Sequence, residues 1–394
     1  MNKKIQASLA NPAFRFVMMI GIANLFADMT YEGGGSINGQ FLGKLGASAA
    51  AISIIAGLGE FFGYSLRSLS GYISDKSGKP WLMSFVGYGI NLLSVPAMAL
   101  VHSWQLAALL IFSERIGRAI RKPAVESMLS YTTGKFGRGW VYALNTALDE
   151  TGATVGPLVA ALILFNKGSY RFAYSLLLVS AVLALLSLML AQIKFPIPSH
   201  FENETTSSNP EKFSRSYWIY MLAGAFFASG LLSYELVAFH LLKNGLLMEN
   251  RIPILLSLAT GSGIIANLFI GKFFDRYGLP IVLAAVILSA LSPLVFLDNY
   301  SAVLFSMPFI GISYATQDTL LTAIIAGLLP KGKRGLAFGL FYTGYGAAWL
   351  IGSIIMGSLY DYSRPTLICF AATTQLISLP FFILASRQEQ VQAF

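Results

Sequence analysis

The chain has 394 residues, 55% of them hydrophobic and only 11% charged, with a formal net charge of +9 and a mean hydropathy of +0.65. So few polar side chains cannot cover a water-soluble surface for a chain this long, which excludes a soluble globular domain and leaves a membrane protein. The single cysteine, Cys369, excludes an internal disulfide.

A helix needs about 20 apolar residues to cross a hydrocarbon core about 30 Å thick. In chain order, runs of that kind are predicted at about 14–42, 47–73, 81–101, 103–131, 138–165 and 170–193, then at about 215–243, 250–274, 279–297, 300–329, 335–360 and 364–386. The residue alternation of barrel strands is absent, so the twelve runs are expected to be helices, giving an all-α membrane protein. Met1-Asn-Lys-Lys is basic but no small-residue cleavage site follows it, so the first helix is expected to be retained.

Residues 194–214 form the only extended polar, Pro- and Ser-containing tract between spans. They read as a linker that divides the chain into a six-helix lobe, 1–193, and a second six-helix lobe, 215–394. With both termini on the inside, 18 Lys and Arg fall in inner stretches, Arg121 and Lys122 among them, against 6 in outer loops. That bias places the termini and the linker in the cytoplasm.

The chain also repeats itself. Gly71-Tyr-Ile-Ser-Asp75-Lys76-Ser-Gly78-Lys-Pro80 returns 200 positions later as Gly271-Lys-Phe-Phe-Asp275-Arg276-Tyr-Gly278-Leu-Pro280. Arg138-Gly139 and Gly156 match Arg334-Gly335 and Gly352 at an offset of 196. A duplicated polar hinge between membrane-length helices points to a two-lobed transporter.

Twelve spans in two sixes, a central loop and Gly-x-x-x-Asp-basic-x-Gly after spans two and eight resemble the major facilitator superfamily along the whole chain. Arg115 within Phe112-Ser-Glu-Arg-Ile-Gly-Arg118 resembles the fourth-helix Arg motif of that family, and Gly152-Ala-Thr-Val-Gly156-Pro157 resembles the fifth-helix element that accompanies antiporters. The segment Glu114–Glu126 is similar to an uncharacterised bacterial branch with a basic, Pro-containing fourth helix. The resemblance implies that helices one, four, seven and ten surround a central cavity, bringing Asp28, Glu32, Arg115, Arg118, Glu235 and Asp318 towards one volume. It also implies that Asp75 and Asp275, each expected to start the next helix, belong to a cytoplasmic gate with Gly71, Lys76, Gly78, Gly271, Arg276 and Gly278. Where related proteins carry Pro, this chain has Gly33-Gly34-Gly35 after Glu32. Three glycines cost about 1 kcal/mol each in a helix, so span one is expected to bend or unwind there, or to pack closely against a neighbour.

A charge at the bilayer centre costs at least about 2.5 kcal/mol, so mid-span ionisable residues mark a site or a partner. The first lobe supplies Asp28, Glu32, Glu60, Arg67, Glu114, Arg115, Arg118, Asp149 and Glu150, while the second offers Glu235 and Asp318. This asymmetry assigns coupling to the first lobe. Asp28 and Glu32 share one helical face, where two carboxylates resist simultaneous ionisation. Proton coupling is therefore placed on Asp28, Glu32, Glu60, Asp149 and Glu150, and a purely structural role in salt bridges to span four stands beside it. Glu60, Tyr64 and Arg67 share a face of span two, as a gate pair or as an intralobe ion-pair chain. Substrate contact is placed on Arg115, Arg118, Glu235, Tyr314, Gln317 and Asp318. His102, His200 and His240 all fall outside mid-span.

No phosphate-binding Gly-rich loop, paired-Cys metal site or His-Glu-x-x-His occurs, so neither an ATP-driven pump nor a metalloenzyme is expected. The expected function is proton-coupled secondary transport of a small solute by alternating access, leaning to export by antiport. The alternative is import of a small anionic nutrient or metal chelate. The expectation includes no cofactor, no nucleic acid partner, a monomer in the lipid bilayer and a bacterial cytoplasmic (inner) membrane.

Overall fold

The structure is a computed structural model that describes residues 11–132, 138–166, 168–198, 214–317 and 334–392. The first half of the chain folds as α1 (Pro12–Lys44), α2 (Ala49–Ser77), α3 (Pro80–Ala97), α4 (Trp104–Ser130), α5 (Arg138–Phe165) and α6 (Tyr170–Lys194). The second folds as α7 (Arg215–Ser229), α8 (Tyr234–Lys243), α9 (Ile252–Tyr277), α10 (Leu279–Ser289), α11 (Tyr300–Ala315), α12 (Arg334–Tyr362) and α13 (Arg364–Gln392). Short 3-10 turns, Met98–Leu100 and Ser292–Phe296, follow α3 and α10. No strand occurs among the described residues, as the sequence predicts.

Local chemistry starts these helices. Asn11, Ser48, Ser103, Ser169, Ser214 and Ser233 each accept a first-turn amide of α1, α2, α4, α6, α7 and α8, satisfying donors that lipid would leave stranded. Nine described spans are long and apolar enough to cross a membrane, and the shorter apolar helices Ile252–Asn267 and Tyr300–Ala315 add to them. On α6 a stripe of Tyr174, Leu177, Ala181, Ala184, Leu188 and Ala191 is buried, while Val179, Val182, Leu186, Leu190 and Ile193 lie exposed on other faces. Such an apolar outer surface belongs in hydrocarbon. The protein is an integral membrane protein.

Two expectations are corrected, and at Gly33-Gly34-Gly35 one of the two alternatives is selected. Span seven is not continuous: α7 ends at Ser229 and α8 begins at Tyr234. The break persists because its carbonyls find partners on other helices, with Gln375 Nε2 donating to Gly230 O at 2.7 Å and the Tyr314 hydroxyl to Leu232 O at 3.0 Å. Secondly, α1 runs unbroken through Gly33-Gly34-Gly35. There a Cβ on Gly33 would stand 3.1 Å from Gly156 O, and one on Gly34 would stand 2.7 Å from Val95 Cγ1, so at these two positions the glycines permit close packing rather than unwinding. Thirdly, Asp75 and Asp275 lie in the last turns of α2 and α9, not at the start of the next helix. Each helix continues to Gly78 or Gly278, whose positive φ of 60° or 64° ends it.

The two halves share their core most extensively at one end. Around Gly46 a single core mixes Ile37, Phe41 and Ile52 of the first half with Val237, Leu241 and Met356 of the second. Towards Gly78 there are two cores, one within the first half on Phe16, Trp81, Tyr88 and Met128, and one in the second half on Tyr217, Phe227, Phe341 and Phe382, which Tyr64 of α2 joins. Small residues keep α2 and α12 in contact, with Gly57 against Ser353 and Gly357 against Ser53. Lys44 and Glu249 form an ion pair of 2.6 Å across the closed end.

Candidate functional site

Between the halves lies a cavity of about 510 Å³, lined by residues of α1 to α6 and of α8, α9, α11 and α12. Its walls near the Gly46 end, such as Val95, Met98, Ile111 and Leu256, are buried, whereas Lys122, Glu126 and Thr146 on the other side are exposed. Among the described residues, therefore, the cavity reaches the surface only at the Gly78 end.

Arg115 sits where three helices meet. Its Nη1 is 2.5 Å from Glu60 on α2, its Nε 3.4 Å from Glu114 on its own helix, and its Nη2 3.4 Å from Glu235 in the first turn of α8. Glu235 thus stands at a helix N-terminus created by the break in span seven, where the helix dipole favours a carboxylate. One turn on, Arg118 grips Glu114 Oε1 through Nε at 3.1 Å and Nη2 at 2.7 Å. Its guanidinium lies 3.8 Å from the Tyr31 ring centre, and Glu32 is 3.9 Å away. Asn91 of α3 completes the shell around Glu114, donating to its Oε1 at 2.8 Å.

A second network lies behind this one, inside the first half. Arg121 approaches Asp28 at 3.4 Å and donates to Asn24 Oδ1 at 3.1 Å. Tyr88 also donates to Asn24 Oδ1. Asn24 Nδ2 then donates to Asn145 Oδ1 at 2.8 Å, and Asn145 Nδ2 to Asp149 Oδ2 at 3.1 Å. The close approach of α5 depends on Gly152 and Gly156, where a Cβ would stand 2.2 Å from Leu25 O and 2.4 Å from Met29 O. Glu150 lines the same cavity.

The second half contributes less charge and more aromatic surface. Tyr314 and Gln317 line the cavity with Tyr234, Tyr342 and Trp349. Gln317 Nε2 donates to the Tyr64 hydroxyl across the halves, and the Tyr345 hydroxyl donates to Gln317 Oε1 at 3.2 Å. Arg67 lies 4.7 Å from the Tyr64 ring centre.

The structure thus brings together Asp28, Glu32, Glu60, Arg115, Arg118, Asp149, Glu150, Glu235, Tyr314 and Gln317 around one cavity. Asp318 lies outside the described residues, as do the side chains of Asp75 and Asp275. Lys76 and Arg276 are exposed near Gly78 and Gly278, away from the cavity. His240 is buried at the Gly46 end with Tyr360 3.1 Å from its Nδ1. Arg121, assigned from sequence to an inner interfacial stretch, is instead buried against Asp28 and Asn24. Its place near the end of an apolar run suggested an interface, but the chain presents it inward to a carboxylate, which lowers the cost of burial. Asn24, Tyr31, Tyr88, Asn91 and Asn145 were not singled out from sequence. Asn24 carried a readable signal, standing four residues before Asp28 on the same helical face.

Replacing Arg121 with Met leaves Asp28 without its cation, and breaking a buried pair from one side costs about 3–5 kcal/mol. Thermal unfolding of the purified protein is expected to shift down markedly for Arg121→Met and to recover in the double variant with Asp28→Asn. An unchanged transition in the single variant contradicts the pairing.

A helical bundle in lipid with a one-sided polar cavity between its halves defines a membrane carrier of a small solute. The chain belongs to the Major Facilitator Superfamily, whose profile matches residues 16–279 and 249–392. It is 31% identical over 375 residues to an uncharacterised protein of Mycobacterium tuberculosis, covering 93% of this chain and 92% of that one. It is 24% identical over 383 residues to an uncharacterised transporter of the same type from Methanocaldococcus jannaschii, covering 92% of each. The fold is shared with the crystal structure of the nucleoside transporter NupG, at a TM-score of 0.67 and 14% identity over 95% of this chain and 98% of that one.

Proposed function

We propose that the chain is a proton-coupled secondary carrier working by alternating access between two lobes, 1–193 and 215–394, joined by the linker 194–214. The observation that carries this reading is the cavity closed at one end, at whose floor Arg115 of the first half is held by Glu235 of the second. Opening the Gly46 end separates these partners and leaves each charge to be compensated. A proton on Glu235 removes that demand and frees Arg115 to turn to the carboxylates of its own half. Proton entry and lobe movement are then one event, and each elementary charge moved across 100 mV supplies about 2.3 kcal/mol.

The asymmetry of Lys and Arg supports an orientation with both termini cytoplasmic, so the cavity faces the cytoplasm. In that orientation Gly78 and Gly278 mark hinges on the open side, and Asp75, Lys76, Asp275 and Arg276 the gate that closes when the lobes rock, with Gly71, Gly271 and Arg67 along the same helices. The cytoplasmic opening and the antiporter-like Gly156-Pro157 element favour export by exchange with protons across a bacterial inner membrane.

Purified protein in liposomes with an internal pH dye, screened against a library of organic ions and neutral solutes, tests the coupling. At least one solute is expected to cross the membrane and to evoke a pH change as it does. Glu235→Gln is expected to abolish the pH change. Solute flux that ignores the pH gradient overturns the coupling, and absence of any flux overturns the carrier reading.

A further inference from the structure

We infer that the solute is an organic cation, an amine or quaternary ammonium on an aromatic or other apolar body. This names the substrate class of the cavity and rests on the carrier reading of that site.

The described residues lining the cavity include eight carboxylates but only four cations, Arg67, Arg115, Arg118 and Lys122, a formal excess of four negative charges. Counting Arg121, which sits behind Asp28, reduces that excess to three. This is opposite in sign to the chain as a whole, which carries +9. The helix-four arginines, the side chains that a small anion would need, are already engaged: Arg115 by three carboxylates and Arg118 by two. An anion entering here must compete with fixed carboxylates for each of them, in a cleft whose low-dielectric walls focus the negative field.

Aromatic rings also line the cavity. Tyr174, Tyr234, Tyr314, Tyr342 and Trp349 face the same volume, and the hydroxyls of three are already committed, Tyr174 to Asn38, Tyr234 to Ile252 O and Tyr314 to Leu232 O. Tyr174, Tyr234 and Trp349 are themselves buried, so the ring surface that reaches the cavity is that of the half-buried Tyr314 and Tyr342, with Tyr31. The chain already seats cations on such rings within the cavity, Arg118 at 3.8 Å from Tyr31 and Arg67 at 4.7 Å from Tyr64. Carboxylate excess together with aromatic rings recognises a weakly hydrated cation, attracted by charge and by cation–π contact. About 510 Å³ accommodates a drug-sized molecule of that kind.

The test uses the purified full chain carrying Cys369→Ser and Thr146→Cys, since Thr146 is exposed and lines the cavity. Two methanethiosulfonate reagents, one bearing trimethylammonium and one sulfonate, are compared with their rates on free cysteine. The cationic reagent is expected to be favoured at least tenfold. Benzyltrimethylammonium, ethidium or tetraphenylphosphonium is expected to slow the modification and raise the melting temperature, while benzenesulfonate and tetraphenylborate do neither. Equal or reversed reagent preference, protection by the anions, or protection by none of the cations overturns the inference. Cation protection in a protein whose two ends never exchange openness leaves the inference standing and removes the carrier reading instead.

Discussion

Arg115→Gln is expected to abolish proton-coupled solute flux and to lower the unfolding temperature by the largest margin of any cavity substitution. Arg115 is the one described side chain that pairs with carboxylates on α2, α4 and α8 together, and it is largely buried, with 15% of its side chain exposed. Removing one partner of a buried pair costs about 3–5 kcal/mol because the other is left uncompensated. Here three carboxylates lose a partner at once. Arg115→Lys separates stability from function. Its ammonium restores charge but is a point donor on a flexible stem, unable to face carboxylates on three helices. It is expected to recover much of the stability and little of the coupled flux. Glu60→Gln together with Arg115→Gln is expected to be more stable than Arg115→Gln alone, since the closest carboxylate no longer needs a cation. Native stability and flux in Arg115→Gln contradict the network's role.

The second large effect is steric. A Cβ on Gly39 would lie 2.0 Å from the backbone oxygen of Glu235 and 2.7 Å from its carbonyl carbon, contacts that backbone cannot yield. Gly39 is on α1 and Glu235 on α8, so the clash falls between the halves at the closed end. A rigid-body separation relieves it. Gly156 provides the contrast: its Cβ would meet Met29 O at 2.4 Å and Gly33 N at 2.8 Å, both within the first half, where no such movement helps. Gly39→Val is therefore expected to purify folded with its Gly46 end forced apart. Gly156→Val is expected to lose stability by at least the roughly 1–3 kcal/mol of an overpacked core. Two variants with equal unfolding temperatures and the same lobe separation contradict this division.

These contacts also explain what the sequence reveals. The spans are legible because lipid leaves an apolar run of about 20 residues few alternatives to a helix, and even α4, too polar to stand among the apolar spans, falls where its length and capping Ser103 place it. The Glu114–Arg118 pair is legible too, as an i,i+4 neighbour on one helix. What escapes is set by distant partners. The break after Ser229 has an apolar sequence, and Gln375 and Tyr314 satisfy its carbonyls from other helices. At Gly33 and Gly34 the local cost of glycine loses to close helix packing, a tertiary gain that propensity does not contain. Arg121 is misplaced for the same reason, since its partner Asp28 is 93 residues away.

The central claim is that the two ends exchange openness. Spin labels on Lys44→Cys with Glu249→Cys report the closed end, where the native side chains are 2.6 Å apart. Labels on Tyr72→Cys with Tyr277→Cys, both exposed near the ends of α2 and α9, report the other. Pulsed electron resonance on the two pairs, in lipid at several pH values and with bound cation, is expected to show two distance populations for each. Conditions that lengthen the first distance should shorten the second. A single unchanging distance at each end, or two distances that lengthen together, contradicts alternating access.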